Sequence, residues 1–251
     1  MASRRGQMLD GVLLLDKPEG LSSFHALQRA KRALDARKAG HTGTLDPFAT
    51  GLLVCCLGRA TKLSGHMLEA DKGYVATIRF GQETDSGDLT GNIVSTAPED
   101  HQGPEREALE QVLAQFRGDI LQIPPMYSAL KRDGKPLYEY ARQGIELDRP
   151  ARPVTIYQLE LLSLDGLEAV IQVQCSKGTY VRTLAQDIGR QLGCGAHLKA
   201  LRRTSVGPFQ LSDAVGLEAL QAMDAPQTVL IALDALPAGL SPETITPKDE
   251  L

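Results

Sequence analysis

The sequence predicts an α+β fold with a mixed, mostly antiparallel central sheet flanked by helices and loops. Residues 74–80 alternate apolar and polar side chains, as a half-buried strand does. Residues 181–192 instead place apolar side chains three and four residues apart, which is the spacing of an amphipathic helix. Strands and helices of these kinds do not alternate as βαβ units, so a purely parallel sheet is not expected.

The first elements are a buried strand and an amphipathic helix. Residues 11–16 form a short apolar run that favours a strand, and the Lys-Pro-Glu-Gly sequence at 17–20 favours a turn. Ser22 or Ser23 can then cap a helix. We expect its buried face to carry Phe24, Leu27, Ala30 and Leu34, and its other face to be basic, with Arg29, Lys31, Arg32, Arg37 and Lys38.

The middle of the chain mixes loops with short elements. Residues 40–51 are rich in Gly, Thr and Pro and predict a loop, while residues 52–57 predict a second buried strand. Residues 81–103 predict a loop or hairpin. A helix is expected from Pro104 to a stop at Gly118.

The later part of the chain contains an irregular stretch and further regular elements. Residues 119–152 show no clear period and are rich in proline, tyrosine and basic residues, which indicates a functional lobe. Residues 169–175 predict a strand, and the helix at 181–192 ends at Gly193. Residues 202–209 predict a last strand, and one more helix is expected from Leu217.

Composition excludes several classes of protein. The chain has 251 residues, 42% hydrophobic and 23% charged, so it is globular and forms one large or two small domains. The longest apolar run, residues 52–57, is far shorter than the roughly 20 residues that a membrane helix needs. No apolar segment follows the polar residues 1–7, so no secretory signal is expected. The four cysteines lack metal-site spacing, which predicts reduced thiols in a cytoplasmic protein.

Charge is distributed in blocks along the chain. Residues 1–66 carry a net charge of +5 and residues 175–210 also carry +5, whereas residues 67–174 carry −8 and residues 211–251 carry −6. The two basic blocks can form one face that attracts a polyanion. The alternative is that they are two separate solvated surfaces.

The common cofactor and hydrolase motifs do not occur. The sequence has no G-x-G-x-x-G fingerprint, no G-x-x-x-x-G-K-[ST] phosphate loop, no H-E-x-x-H pair and no G-x-S-x-G elbow. The segment with the densest concentration of unusual residues is instead Gly40–Pro47, in which Pro47 restricts the backbone of Asp46. Asp46 either caps a short helix or is a carboxylate held on a rigid loop for covalent or acid–base chemistry.

Three other residues have a structural and a functional interpretation. Tyr74 is either a core residue at the start of its strand or a ring that stacks on a base. Arg182, read alone, is a surface arginine, but one that reached a buried carboxylate would keep it ionised. His41 is by default a capping or loop histidine.

Six ordered segments between residues 13 and 207 are similar to motifs of one enzyme family, the bacterial tRNA pseudouridine synthase B (TruB) family. They are LLLDKPEGLSS (13–23), GHTGTLDPFATG (40–51), ADKGY (70–74), FRGDILQIPPMYSALKRDGKPLYEYARQG (116–144), CSKGTYVRTLAQDIG (175–189) and GCGAHLKALRRTSVG (193–207). The resemblance implies a pseudouridine synthase fold and isomerisation of uridine 55 in the T-loop of tRNA, without cofactor or metal.

The resemblance also implies roles for individual residues. Asp46 matches the catalytic aspartate, and Arg182 matches the arginine that pairs with it. Tyr74 matches the tyrosine that packs on the target base, and His41 matches the histidine associated with extruding the uridine. Tyr180 and Leu201 match positions that line the base pocket.

The predicted RNA surface consists of basic residues from the two positive blocks and from the irregular stretch. Basic side chains in these places could contact phosphates and so offset the cost of flipping a base. The expected partner is the T stem-loop of tRNA, and the protein is expected to be a monomer with no membrane contact. The predicted RNA-binding residues are Lys17, Arg59, Lys62, Lys131, Lys135, Arg142, Lys177, Arg202 and Arg203.

The domain expectation is a catalytic domain at residues 1–210, with an RNA-gripping insertion at about 116–152, and a short acidic segment at 211–251. Family members usually continue into a PUA-like RNA-binding domain, which this sequence lacks, so weaker tRNA binding is expected. Two alternative functions stay open. One is a tRNA-binding and folding module that acts without catalysis, and the other is a guide-RNA-dependent synthase that modifies ribosomal RNA.

Overall fold

The computed structural model describes residues 6–240 of the chain. The chain divides into two compact units. Unit 1 comprises the residues up to Gly73 and those from Arg202 onward, and unit 2 comprises Tyr74–Leu201. The polar N-terminus predicted to lack a signal and the acidic segment at 211–251 fall partly outside the described residues, at 1–5 and 241–251. The predicted division at residue 210 stays a prediction.

Strands form the framework of both units. Fourteen are found in residues 6–240, and they are β1 (Gly11–Lys17), β2 (Ala39–His41), β3 (Thr50–Leu57), β4 (Lys72–Phe80), β5 (Gln82–Thr84), β6 (Ile93–Thr96), β7 (Gly118–Gln122), β8 (Lys131–Arg132), β9 (Lys135–Pro136), β10 (Arg152–Asp165), β11 (Glu168–Cys175), β12 (Ala196–Val206), β13 (Phe209–Gln210) and β14 (Val215–Gly216).

Helices are fewer and mostly short. The described part of the chain has six α-helices, which are α1 (Ser23–Ala33), α2 (Ser64–Leu68), α3 (Arg106–Gln115), α4 (Leu137–Ala141), α5 (Val181–Gln191) and α6 (Leu217–Ala222). Short 3₁₀ helices lie at Gly58–Leu63, Leu211–Asp213, Pro226–Val229 and Leu233–Ala235. Across residues 6–240, no helix has the length and apolar character needed to cross a membrane.

The strands of unit 1 pair in both directions. β1 runs antiparallel to β3, with Gly11 opposite Leu57 and Lys17 opposite Gly51. β14 is parallel to β1, β2 is antiparallel to β3, and the last part of β12 is parallel to β3, with Arg203 opposite Gly51. The predicted α+β fold with a mixed, mostly antiparallel sheet is therefore confirmed.

The core of unit 1 lies on both faces of β1 and β3. Leu13 and Leu15 pack with the buried face of α1 and with Leu217 of α6, whereas Val12 and Leu14 pack with the segment around Met67. Each fully buried leucine contributes about 1.5–3 kcal/mol to folding. Burial on both faces explains why these strands appear in the sequence as continuous apolar runs and not as alternating ones.

Helix α1 differs from the prediction at one residue. Ser22 is its N-cap, and the Ser22 hydroxyl accepts a hydrogen bond from the His25 backbone N–H at 3.2 Å. Leu27, Ala30 and Leu34 are buried as expected, but Phe24 is 60% exposed. At about 100° per residue, Phe24 lies roughly 60° beyond Leu27, outside the buried stripe. Its expected place in the core was wrong.

In unit 2 the strand order is β12, β4, β11, β10 and β7. The predicted strands at 74–80 and 169–175 are confirmed by β4 and β11, and the helix at 181–192 is confirmed by α5. The long strand β10 was not predicted. Its pairing with β11 shifts register near Ile156 and again near Leu161, and such bulges interrupt the two-residue period on which sequence analysis depends.

The irregular stretch forms a small hairpin and a short helix. β8 and β9 pair antiparallel across a turn in which Asp133 and Gly134 have positive φ angles of 52° and 77°. Helix α4 follows the hairpin directly. Short elements joined by turns explain why residues 119–152 showed no period.

Candidate active site

The predicted site residues are divided between the two units, and each part is described separately. In unit 1, Asp46 lies on the segment that joins β2 to β3, and its side chain is half-buried. No helix begins at Pro47, because residues 47–48 form only a turn closed by a 3.1 Å hydrogen bond from the Ala49 N–H to the Asp46 carbonyl. The interpretation of Asp46 as a helix cap is therefore wrong.

Ser23, the first residue of α1, fixes the backbone immediately before Asp46. The buried Ser23 hydroxyl accepts a hydrogen bond from the Leu45 N–H at 2.7 Å and donates one to the Leu45 carbonyl at 3.0 Å. Both polar groups of Leu45 are thus satisfied by one side chain, which restrains the direction in which the next residue points.

Lys17 fixes the backbone immediately after Asp46. Its side chain is fully buried, and its ammonium group donates to the carbonyls of Leu21 at 2.7 Å, Pro18 at 2.9 Å and Pro47 at 3.3 Å. Burial lowers the pKa of Lys17 to about 8, and the negative charge of Asp46 opposes this shift. Lys17 was predicted to contact RNA, and the structure corrects this prediction, because a buried ammonium with three carbonyl partners does not reach a phosphate.

Arg203 restrains the other end of the loop from strand β12. Its buried guanidinium donates from Nε to the Leu52 carbonyl at 2.7 Å, from Nη2 to the Gly43 carbonyl at 3.2 Å and from Nη1 to the Thr44 carbonyl at 3.5 Å. Arg203 was predicted to contact a phosphate, and its burial corrects that prediction as well. The backbone of Arg203 lies very close to Gly51, and only glycine allows this, because its φ is +100° and a Cβ there would lie 2.3 Å from the Arg203 carbonyl oxygen.

These three side chains together form what we call the loop clamp, namely Lys17, Ser23 and Arg203. They hold the backbone on both sides of Asp46 at Gly43, Thr44, Leu45 and Pro47. Two of the three are cations, so the clamp also provides positive charge near the carboxylate. A carboxylate on such a backbone can serve as a nucleophile or as a base, because its position does not depend on a flexible loop.

His41 and Thr42 precede the clamped loop and carry unused polar atoms. His41 Nδ1 and Thr42 Oγ1 are both buried and have no hydrogen-bond partner among the described residues. Burial lowers the pKa of His41, and the positive charge of Arg203 lowers it further, so the imidazole is held neutral at physiological pH. Buried unsatisfied groups are rare in native proteins and indicate a strained or ligand-binding place.

In unit 2, Arg182 is buried in the first turn of α5. Its guanidinium donates to the Tyr127 carbonyl at 2.7 Å and to the Ser86 carbonyl at 2.9 Å, and it lies 3.9 Å from Asp88 Oδ2. The expectation of a surface arginine is therefore wrong, and the pairing with Asp46 stays a prediction.

Asp88 is a buried carboxylate that the sequence analysis missed. Its Oδ1 accepts hydrogen bonds from the Ser86 hydroxyl at 2.9 Å, from the Thr90 N–H at 2.9 Å and from the Thr90 hydroxyl at 2.6 Å. Its segment, SGDLTG, has the composition of an ordinary turn, and only the proximity of Arg182 distinguishes it. An aspartate that hydrogen-bonds two residues ahead gives the same sequence signal whether it is exposed or buried.

The predicted base-pocket residues of unit 2 are at least partly buried. Tyr74 lies on β4 and is 9% exposed, and Leu201 lies on β12 and is 7% exposed. Tyr180 is the N-cap residue of α5, and both of its backbone polar groups bond to the Gln122 side chain, at 3.0 and 3.3 Å. Their predicted contacts with a base stay predictions.

The remaining predicted RNA-binding residues of unit 1 lie at the surface. Arg59 is 64% exposed and pairs with Asp10, while Lys62 is exposed. Arg202 is partly exposed, but its guanidinium already bonds to both carboxylate oxygens of Asp16, at 2.7 and 3.1 Å. That neutralisation weakens Arg202 as a phosphate contact.

In unit 2, Lys131 and Lys177 are exposed. Two further cations of the predicted insertion lie on tyrosine rings, Lys135 at 4.5 Å from the centre of the Tyr140 ring and Arg142 at 5.2 Å from that of Tyr138. These stacked pairs join positive charge to aromatic surface, which suits contact with a single-stranded RNA loop.

Unit 2 also contains a cavity of about 560 Å³, lined by residues such as Ile123, Tyr127, Arg149 and Asp187. None of the predicted site residues lines it, so it is not the predicted site. Burial raises the pKa of Asp187 at its wall, and nearby Arg190 opposes the shift. Within residues 6–240, no group of three His, Cys, Asp or Glu side chains is placed to hold a metal ion.

The clamp leads to a prediction about stability. Arg203→Met would leave the buried Leu52 carbonyl and the partly buried Gly43 and Thr44 carbonyls without this donor, and we expect a loss of about 2–4 kcal/mol in the free energy of unfolding. The matched control is Arg59→Met, which breaks an exposed ion pair and should cost under about 1 kcal/mol. Urea denaturation of the two variants measures the difference. Equal losses would mean that Arg203 does not hold the loop.

Comparison with known proteins identifies the class of protein to which the chain belongs. Residues 31–181 match the family model described as TruB family pseudouridylate synthase (N terminal domain), and residues 182–236 match the tRNA pseudouridylate synthase B C-terminal domain. The tRNA pseudouridine synthase B of Bordetella avium is 73% identical over 244 residues, covering 97% of this chain and 100% of that relative. The protein of the same name from Aromatoleum aromaticum is 60% identical over 232 residues, covering 92% of this chain and 74% of that relative.

Solved structures agree with the class. A chain in a Cbf5–Nop10–Gar1 complex is 30% identical with a TM-score of 0.69, and the match covers 89% of this chain and 60% of that chain. A chain of an H/ACA RNP bound to a substrate RNA containing 2′-deoxyuridine is 27% identical with a TM-score of 0.66. The present chain covers 59% of that one. The fold and the matched domains define a pseudouridine synthase, an isomerase.

Within that class, the chain belongs to the TruB family.

Proposed function

We propose that this protein converts uridine 55 in the T-loop of tRNA to pseudouridine, with Asp46 as the catalytic carboxylate. The observation that carries the proposal is the clamped position of Asp46, in a chain that matches the tRNA pseudouridine synthase B of Bordetella avium along the whole length of that relative. Family membership supports the reaction class, and the relatives' names support tRNA as the substrate.

The reaction requires little beyond positioning. The glycosidic bond between C1′ and N1 breaks, the uracil rotates, and C5 forms a new bond to C1′. The proton on C5 is lost and N1 gains one, so the atoms balance and no cofactor is consumed. Because free uracil must be retained during rotation, the pocket needs apolar and aromatic walls, which Tyr74, Tyr180 and Leu201 would supply.

Asp46 fits three roles in this reaction. It can attack C1′, add to C6 of the base, or abstract a ribose proton while the base leaves. Each role needs an ionised carboxylate in a fixed direction, and Lys17 and the backbone hydrogen bonds of the clamp favour both requirements. In this proposal, Arg182 supplies a further positive charge to Asp46.

The target uridine would leave its stack before reaction, at a cost of a few kcal/mol. We assign His41 to the extrusion, because its neutral ring has an unused buried nitrogen beside the loop. The exposed cations Lys62, Lys131 and Lys177 would offset the cost through phosphate contacts.

A tRNA-folding module without catalysis is the main alternative, and a guide-RNA-dependent synthase is the other. The guide-RNA-dependent synthase is considered because the chain is similar to chains of H/ACA complexes.

The decisive experiment incubates the purified protein with an unmodified tRNA transcript and maps pseudouridine at nucleotide resolution. We expect modification at position 55 only, and also on an isolated T stem-loop without added RNA. Binding without any pseudouridine would support the folding module.

Tyr74 gives a prediction that separates ring stacking from hydroxyl chemistry. If the ring packs on the base, Tyr74→Phe should keep most of the turnover, within about tenfold, whereas Tyr74→Leu should lose about 10²-fold or more because it removes the aromatic face. Single-turnover rates on tRNA measure both. Equal losses would assign the role to the hydroxyl group instead.

Arg59 and Lys62 give a prediction about the RNA surface. The double variant Arg59→Gln/Lys62→Gln should weaken tRNA binding and reduce the slope of log K against log[salt] by about 1–2, since up to two phosphate contacts are lost. The control is Arg79→Gln/Arg106→Gln, which removes the same charge at solvent-accessible positions outside the predicted RNA surface. An unchanged slope would place the RNA surface away from these residues.

A further inference from the structure

Helix α1 has an exposed face that the proposed function does not use. At about 100° per residue, the side chains of Lys31, Phe24, Gln28, Arg32, His25 and Arg29 follow one another around about 160° of the helix, opposite the buried Ala26, Leu27 and Ala30. We call these six residues the outer face of α1. It combines one large aromatic ring with three strong cations.

The outer face is not neutralised by the described part of the chain, and four of its residues, Phe24, His25, Arg29 and Arg32, are exposed, whereas Gln28 and Lys31 are partly buried. Within residues 6–240, no acidic side chain forms an ion pair with Arg29, Lys31 or Arg32, or with Arg37 and Lys38 that follow. Residues 24–38 contain five basic side chains and one acidic one, Asp35. Such a concentration of unpaired positive charge attracts a polyanion.

Phe24 is the unusual member of this face. It is 60% exposed, and its ring lies edge-to-face with that of His25, with the ring centres 5.7 Å apart. Stabilisation of the helix dipole would account for Lys31 and Arg32 in the last turn, but not for Phe24 or Arg29, which lie outside it. An exposed aromatic ring among cations is instead the composition of a surface that binds unpaired nucleotides.

The helix is also tied to the candidate active site. Ser23, adjacent to Phe24, makes both hydrogen bonds to Leu45 next to Asp46. The helix then extends about 16 Å along its axis, at 1.5 Å per residue. RNA whose target nucleotide lay at Asp46 would therefore have neighbouring nucleotides within reach of the outer face.

We propose that the outer face of α1 is a second RNA-binding surface, on which Phe24 stacks against an unpaired base of the tRNA while Arg29, Lys31 and Arg32 contact its phosphates. This proposal rests on the proposed function for the identity of the RNA. It assigns binding, and no step of the reaction, to these residues.

The test measures equilibrium binding of unmodified tRNA at several salt concentrations, with every variant made in an Asp46→Asn parent so that no turnover occurs. Arg29→Gln/Arg32→Gln should weaken binding about tenfold and reduce the salt slope by about 1–2. Phe24→Ala should weaken binding by roughly fivefold or more with an unchanged slope, because stacking releases no counterions.

Matched controls use solvent-accessible residues of unit 2. Arg79→Gln/Arg106→Gln removes the same charge at solvent-accessible positions outside the predicted RNA surface, and Leu162→Ala truncates an apolar side chain that is 49% exposed. Neither should change tRNA binding. If the α1 variants bind like these controls, the proposal is wrong. It is also wrong if Phe24→Ala leaves tRNA binding unchanged but converts a dimer to a monomer in size-exclusion chromatography, since the ring would then cover a second copy of the chain.

The wild-type protein keeps the two proposals apart. If it forms no pseudouridine in tRNA, the proposed function fails whatever the α1 variants do. If it forms pseudouridine while the α1 variants bind tRNA normally, only the inference about α1 fails.

Discussion

Asp46→Asn is expected to reduce pseudouridine formation by about 10²- to 10⁴-fold, because it removes the group that acts as nucleophile or base. The substitution keeps the shape of the side chain and leaves the clamp untouched, since Lys17, Ser23 and Arg203 all bond to backbone atoms. Affinity for tRNA should stay close to that of the wild type, because phosphate contacts dominate it. Single-turnover rates and filter binding on the same tRNA measure the two quantities.

The control for this prediction is Asp224→Asn, which makes the same change at an exposed position of unit 1. It should leave both turnover and binding at the wild-type level. Unchanged pseudouridine formation in Asp46→Asn would remove Asp46 from the mechanism. A parallel loss of binding and of folding stability would instead make Asp46 a structural residue.

The elements that the sequence predicted well are those whose burial follows a simple period. β1 and β3 contain continuous apolar runs because both of their faces are covered. β4 and β11 alternate because one face of each is buried and the extra residues of the bulges lie in β10, not in β11. α5 places its buried apolar residues Val181, Leu184, Ala185 and Ile188 at helical spacing. β10 was missed because two bulges shift its alternation, and a bulge depends on the partner strand and not on the local sequence.

The sequence motif of the candidate site could be predicted, but the hydrogen bonds that hold its residues in place could not. Lys17 and Arg203 were assigned to the surface because cations usually lie there. The carbonyl through which Lys17 reaches the loop, that of Pro47, is 30 residues away, and the Gly43 carbonyl bound by Arg203 is 160 residues away, so no local pattern reports these contacts. Asp88 was missed for the same reason, since Arg182, with which it forms an ion pair, lies far away in the sequence. Long-range hydrogen bonds of buried charges are thus the part of a site that sequence patterns report least well.

Arg182→Met is expected to have the second-largest effect, a loss of about 10²-fold or more in turnover with little change in tRNA affinity. The guanidinium is buried, holds the Ser86 and Tyr127 carbonyls and lies beside Asp88. If it also supplies positive charge to Asp46, its removal raises the pKa of that carboxylate. A carboxylate with a raised pKa is ionised only at higher pH, so the residual activity should need more alkaline conditions than the wild type.

The pH profile of single-turnover rates separates this role from a structural one. If Arg182 only holds the two carbonyls, Arg182→Met lowers the free energy of unfolding and the activity at all pH values alike. If it pairs with Asp46, the acidic limb of the profile moves to higher pH, and Arg182→Lys moves it back part of the way because a cation is restored. Normal turnover in Arg182→Met would refute the pairing. A reduced rate with an unmoved acidic limb would assign the arginine to the packing of unit 2 alone.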